Sequence, residues 1–310
     1  MIAYIIRRSL QVIPTLLFIL TLIFFLLNIL PGDAALLAGA SRKGQSEEVI
    51  ENLRQKWGLG DPIHMRYFKY MANLFRGDLG TSYRTHTKVT NLIGQKMIAT
   101  LTLVTMAALG STILGILLGF IAGMRHGSLT DLASMGFAIF GISAPRFWIG
   151  LMLMYLFAVL MGVLPSSGFG GGAPRYYILP SITLGIPMVC LLARTTRASV
   201  LDVVSQDFVR TARSKGLSEY IVQSKHIFRN AIMEVLTIAG LQVGTMLANT
   251  VVVEKVFSWP GLGNLIINSI LQRDIPAIQG CIMIFASAFI FINLFVDISY
   301  AYLDPRIRYE

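Results

Sequence analysis

Six stretches of this chain are apolar for about the 20 residues that a helix needs to cross the hydrocarbon layer of a bilayer. They cover residues 9–30, 97–124, 134–161, 178–198, 232–253 and 278–300. In lipid every backbone N–H and C=O has to be paired within the protein, which leaves helices as the form these segments take. Charged residues are only 14% of the 310, against about 25% in soluble domains. The expected fold class is an all-α polytopic membrane protein with six transmembrane helices. Pro180 and Pro187 fall inside the fourth stretch, where neighbouring helices can satisfy the carbonyls that they free.

A net charge of +10 would suggest a nucleic-acid partner in a soluble protein. In a membrane chain, accumulation of Lys and Arg in cytoplasmic loops accounts for it, and no nucleic acid is expected. Arg7 and Arg8 precede a first run too long for the core of a cleaved signal peptide, about 7–15 residues. That span is expected to be retained, with the N-terminus cytoplasmic. Six crossings bring the C-terminus back to the same side. Arg125, the cluster from Arg194 to Arg229, Arg306 and Arg308 then lie inside. Arg175 stands alone in one short outer loop, and Glu254, Lys255, Arg273 and Asp274 offset one another in the next. Cys190 and Cys281 sit within apolar runs and read as inert buried thiols.

Three regions follow: residues 1–30 as the N-terminal end and first span, 31–96 as an extracytoplasmic segment, and 97–310 as a five-helix core. The middle region has Trp57, Tyr67, Phe68, Tyr70, Leu74 and Phe75 to pack a small subdomain. Ser46, Glu47 and Glu48 predict a helix start, and Gly60 with Pro62 its end. Composition favours a membrane-apposed cap over a receptor for an external partner.

Gly115, Gly119 and Gly123 recur every four residues in the second span, and Gly240 and Gly244 in the fifth; such faces let helices approach closely. Asn28, Arg146, Glu234, Gln242, Asn249, Asn293 and Asp297 sit at membrane depth, where polar groups turn toward protein or a cavity. Arg146 follows Pro145, a charge beside an expected kink. Gln242, Met246 and Asn249 share one helix face. These four residues are the candidate lining of a translocation pathway, with an interhelical hydrogen-bond seam as the commoner use of such a stripe.

No phosphate-binding G-x-x-x-x-G-K-[ST] loop, H-E-x-x-H zinc pair or G-x-S-x-G elbow occurs. His64, His86, His126 and His226 lack metal-ligand spacing. Neither a proton relay nor an inverted repeat is evident. The chain describes a pathway without an engine, which turns attention to its polar, basic stretch at 205–229. Ser205 is positioned to cap a helix from Gln206, with Asp207 in its first turn. Phe208, Val209 and Ala212 then fall toward one side, and Arg210 and Arg213 toward the other. Lys215 and Gly216 suit a helix end, and Ser218 can cap a second short helix carrying Glu219, Ile221, Val222 and Lys225. An amphipathic pair like this lies on a membrane or inserts into a groove on a partner.

The small residue Ala212 with Gly216 four positions later resembles the coupling motif of ABC importer permeases, closest to the dipeptide/oligopeptide/nickel family and its B-type subunit. Nearly the whole chain takes part: Arg7-Arg8, Leu30-Pro31-Gly32-Asp33, Gly77-Asp78-Leu79-Gly80-Thr81-Ser82, Pro145-Arg146-Phe147-Trp148, Leu164-Pro165-Ser166-Ser167-Gly168 and Ile178-Leu179-Pro180. Phe257-Ser258-Trp259-Pro260-Gly261-Leu262-Gly263, Arg273-Asp274-Ile275-Pro276 and Leu303-Asp304-Pro305-Arg306-Ile307-Arg308 complete the order. Thr211 stands where ABC permeases more broadly often have Ala, and Glu234 where the family usually has Pro.

The resemblance implies a type I importer permease in a bacterial or archaeal cytoplasmic membrane. It implies a second related permease subunit, two ATPase subunits that carry the ATP and Mg, and an external substrate-binding protein, with no cofactor in this chain. Phe208, Val209, Arg210, Thr211, Ala212, Arg213, Lys215, Gly216 and Leu217 would sit in a cleft on an ATPase. The segment 31–96 would meet the binding protein. The cargo implied is a short peptide, or alternatively a nickel chelate, glutathione or another small solute.

Overall fold

The computed structural model describes residues 2–29 and 47–303. Ser46, the Leu30–Asp33 motif, and Arg306 and Arg308 lie outside the described residues. The helices are α1 (Ile2–Ile29), α2 (Glu47–Trp57), α3 (Ile63–Phe75), α4 (Val89–Met124), α5 (Leu129–Ser143) and α6 (Arg146–Met154). Next come α7 (Pro174–Val204), α8 (Asp207–Ser214), α9 (Glu219–Ile221), α10 (Arg229–Val256), α11 (Leu262–Leu271) and α12 (Ile275–Leu303). A π-helical turn, Tyr155–Leu160, extends α6, and another, Val222–Phe228, joins α9 to α10.

Among the described residues five helical runs are long and apolar enough to cross a membrane, or six if a bent pair counts as one span. The span expected over 134–161 is not one straight helix: α5 and the helix from Arg146 to Leu160 meet at 110°. The cause is Pro145. The residue before a proline is pushed out of helical geometry, and Ala144 is extended at φ −74°, ψ 133°. By contrast Pro180 and Pro187 leave α7 unbroken over 31 residues.

The chain divides into two compact units, Met1–Thr100 with Pro260–Ile290, and Leu101–Trp259 with Phe291–Glu310. In the first, α3 packs its aromatic side on α1. Phe24 stacks on Tyr70 with ring centres 5.4 Å apart, and the Thr21 and Tyr67 hydroxyls are hydrogen-bonded at 2.9 Å. Trp57 lies flat on Tyr83 at 4.0 Å. Of the aromatic residues expected to pack this region, Phe68 and Phe75 face outward. Burial pushes the Tyr70 and Tyr83 phenols up to about 12. The helix expected to end at Gly60 ends earlier, because Gly58 takes the left-handed conformation, φ 64°. Pro62 instead precedes α3. Two of the resemblance motifs meet here: Asp274 accepts from the Ser82 hydroxyl and from Tyr83 N–H at 3.0 Å.

The second unit is built on α7, which packs against α5, α6 and α10. The glycine face of α4 lies on it as a close seam. A Cβ on Gly115 would come 2.7 Å from Leu192 Cβ, one on Gly119 2.6 Å from Thr196 Cβ, and one on Gly123 2.8 Å from Val200. Gly240 of α10 meets Val296 of α12 in the same way, at 2.8 Å. Cys190 and Cys281 are buried and form no disulfide. Trp259 is buried edge-on to Phe169 and Tyr177, at 4.9 and 4.6 Å. Glu254 and Lys255, expected in an outer loop, form the last turn of α10, with Glu254 fully buried.

Candidate coupling segment and intramembrane site

The basic stretch folds as one short helix, a turn and the start of a long one. Helix α8 begins after Gln206, which is extended at its N-terminus. Ser205 is not its cap: it closes α7, its hydroxyl donating to Asp202 O at 2.8 Å. The turn after α8 depends on Gly216 at φ 75°, a conformation that costs any residue with a Cβ. Ser218 holds the extended N-cap position of α9. The second short helix expected there is instead continuous with the fifth span, one helical run over Glu219–Val256. No breaker interrupts it. Glu234, where the family usually has Pro, keeps its N–H and accepts from the Ser199 hydroxyl at 3.1 Å.

The apolar side of α8 is divided. Val209 and Ala212 are buried with Val200, Val222, Ile227 and Ala231, and with Phe120 and Met124 against them. Phe208, expected with them, is 43% exposed. Leu217, Tyr220 and Ile221 are exposed beside it, among the exposed Arg210, Thr211 and Lys215. Arg213 spans the turn to Glu219, Nη2 to Oε1 at 2.8 Å, and Gln223 supports the same carboxylate at 3.4 Å. The chain's own core thus holds the back of α8 and leaves an apolar and cationic front.

At the break between α5 and α6, Arg146 is half-buried and its Nη1 donates to Asn249 Oδ1 at 2.7 Å. Asn249 Nδ2 in turn donates to Thr245 O at 2.7 Å. Arg146 Nε is buried without a partner. Gln242 Oε1 accepts from the Thr245 hydroxyl at 2.7 Å, and Met246 is buried within the chain. So two of the four candidates meet directly, while Met246 and Gln242 lie one and two turns before Asn249 on α10.

Sequence reasoning missed Asp131. Its carboxylate holds Arg197 of α7, Nη2 to Oδ2 at 2.8 Å, and is 6% exposed. A signal existed, since Ser128 caps α5 by accepting from Asp131 N–H while Gly127 N–H donates to Asp131 Oδ2 at 3.0 Å, a capping-box relation. The long-range partner left no mark in the local pattern.

A chain nearly all helical among the described residues, with several helices able to cross a membrane, an exposed amphipathic hook and no nucleotide-binding loop in its sequence, has the build of a permease driven by another subunit. Comparison with known proteins gives the same class. Residues 115–309 match the family described as binding-protein-dependent transport system inner membrane component, and residues 1–104 match its N-terminal counterpart. The glutathione transport system permease protein GsiC of Salmonella paratyphi A is 42% identical over 311 residues, covering 100% of both chains. Its counterpart in Escherichia coli K12 is 43% identical over the same length and coverage. A crystal structure described as an amino acid ABC transporter with histidines superposes at a TM-score of 0.53, with 20% identity over 70% of this chain and 95% of that one. The chain belongs to the binding-protein-dependent transport family. It is the permease subunit of an ABC importer, a multi-pass inner-membrane protein of the type I fold, without catalytic activity of its own. It works with ATPase subunits and a substrate-binding protein.

Proposed function

We propose that this subunit carries short peptides, with the modified tripeptide glutathione as the first candidate. The observation that carries the reading is the end-to-end match at 42–43% identity to permeases named for glutathione transport. In this reading the permease pairs with a second, related permease and with two ATPases that bind ATP and Mg. Both termini and α8 are cytoplasmic, and residues 31–96 form the outer part that meets the binding protein.

The coupling surface is Phe208 with Arg210, Thr211, Arg213, Lys215 and Leu217. Val209, Ala212 and Gly216 fix its shape. Closure of the ATPases would pull on α8, which the Val209 and Ala212 contacts tie to α7 and α10. The spans would then move as rigid elements between two access states. Arg146 and Asn249, with Gln242 two turns earlier on α10, line the pathway, and Met246 packs behind them inside the chain.

The test is uptake into proteoliposomes holding the complete transporter and its binding protein. ATP-dependent uptake of glutathione, suppressed by excess tripeptide, is the expected result. Suppression by a nickel chelate alone would replace the peptide reading. Uptake that persists with an inactivated ATPase would overturn the coupled mechanism in favour of a self-sufficient channel or carrier.

A further inference from the structure

The first unit holds a cleft of about 510 Å³ between the end of α1, the turn after α2, α3 and the start of α12. That volume is in the range of small-molecule sites, about 300–1,000 Å³. One wall is the flat Trp57–Tyr83 stack. Both carboxylates along the cleft are occupied: Asp61 by Lys69 at 2.6 Å, and Asp78 by Gly80 N–H at 2.9 Å. Arg66 is not. It is half-buried in the wall, its charge felt by the Tyr83 phenol, and among the described residues no hydrogen bond or ion pair holds its guanidinium.

Two amides of the same cleft are also incompletely paired. Gln279, 7% exposed, has no partner for Nε2, and Asn28 has none for Oδ1 although its Nδ2 donates to Phe24 O at 2.7 Å. Buried polar atoms are nearly always paired, so two such atoms beside one cleft with a free cation form a pattern. The set comprises a cationic fork, an amide donor and an amide acceptor. A carboxylate matches the fork in two-point geometry. A peptide group matches the other two, its C=O accepting from Gln279 and its N–H donating to Asn28. Inorganic phosphate could also meet these three groups, its P–OH donating to Asn28 Oδ1, but it offers no side chain to the Trp57–Tyr83 stack, so it enters the test as the competing ligand. Gln279 Nε2 and Asn28 Oδ1 lie just under the wall and reach a ligand by rotating toward the cleft.

We propose that this cleft binds the carboxylate end of a short peptide, with Arg66 holding the carboxylate, Gln279 and Asn28 reading the last peptide group, and the Trp57–Tyr83 stack flanking the side chain. The ligand class rests on the peptide reading above, but binding here does not require transport.

The experiment is calorimetric titration of the intact transporter in phosphatidylcholine nanodiscs, without binding protein. The probes are trialanine, its C-terminal amide, glutathione and inorganic phosphate. Saturable binding of trialanine and glutathione is expected, with the amide weaker by about tenfold or more, the loss of a charge-assisted pair. Arg66→Gln should weaken trialanine to the level of the amide and leave the amide unchanged. Gln279→Leu should weaken both. Unchanged thermal unfolding of the Arg66→Gln transporter shows that the fold is intact. No saturable binding, equal binding by wild type and both variants, or phosphate binding as tight as trialanine would each overturn the site. So would displacement of trialanine by phosphatidylglycerol in the disc, which would give the cleft to a lipid headgroup. Peptide uptake by the complete system with no such binding would remove the site and leave the transport reading intact. Binding without peptide uptake would do the reverse.

Discussion

Arg197 grips Asp131 through both carboxylate oxygens, Nε against Oδ1 and Nη2 2.8 Å from Oδ2, and so ties the first turn of α5 to the C-terminal part of the second unit's central helix. Breaking one side of a buried pair leaves a charge uncompensated, at a cost of about 3–5 kcal/mol. Asp131→Asn and Arg197→Gln should each lower the unfolding temperature in detergent. The double variant should be more stable than Arg197→Gln alone, because no lone charge remains. Strictly additive losses would show that the two residues act independently.

The glycine seam of α4 gives a sharper prediction, because association in lipid depends on close packing rather than on escape from water. A Cβ at Gly119 would run into Ala193 O and into Thr196 Cβ at 2.6 Å, both on a rigid helix. Gly119→Val should therefore cost about 1–3 kcal/mol, as overpacking does. Gly110, on the same helix with open space around its Cβ position, should tolerate alanine. Equal thermal stability of Gly119→Val and wild type would contradict the seam.

The contrast between these two helix contacts shows what the sequence could and could not disclose. The glycine repeat announces itself because its spacing is local and helical; so do the left-handed Gly216 and the apolar lengths of the spans. The Asp131–Arg197 contact, 66 positions apart, leaves no periodic trace. Pro145 broke its span and Pro187 did not, though the two look alike in sequence; α7 is packed on several sides, whereas Ala144 and Pro145 are free to go extended. In the coupling segment the helix, the turn and the basic face were legible. The fate of Phe208 was not, since Val209 and Phe208 are adjacent and only the shape of the core under α8 decides which is buried.

Arg146 and Asn249 test the pathway. Among the described residues the Arg146 guanidinium has one hydrogen-bond partner, Asn249 Oδ1 at 2.7 Å, and a buried Nε with none. If the pair lines the route of the cargo, Asn249→Leu should reduce uptake by at least about tenfold, a transition-state loss of about 1.4 kcal/mol, while ATP binding by the partner subunits is kept. Arg146→Gln, which can still hydrogen-bond Asn249, should transport better than Asn249→Leu does. Uptake unaffected in both variants, measured in proteoliposomes, would reduce the contact to a helix-break staple.

The two neighbouring residues of α8 separate coupling from folding. Val209 is fully buried in the cluster with Val200 and Val222, while Phe208 is 43% exposed on the opposite front. Truncating Val209 to Ala removes buried methyl groups and should cost about 1–2 kcal/mol of stability. Phe208→Ala removes a side chain that the fold does not need, so thermal unfolding of the permease should move little. An aromatic group anchored in a partner's pocket typically contributes at least about 2 kcal/mol to binding. Loss of Phe208 should therefore weaken ATPase association and strip substrate-stimulated ATP hydrolysis, even though the permease itself remains well folded. Normal stimulated hydrolysis in Phe208→Ala, beside a destabilised Val209→Ala, would show that the exposed front of α8 is not where the ATPase holds the permease.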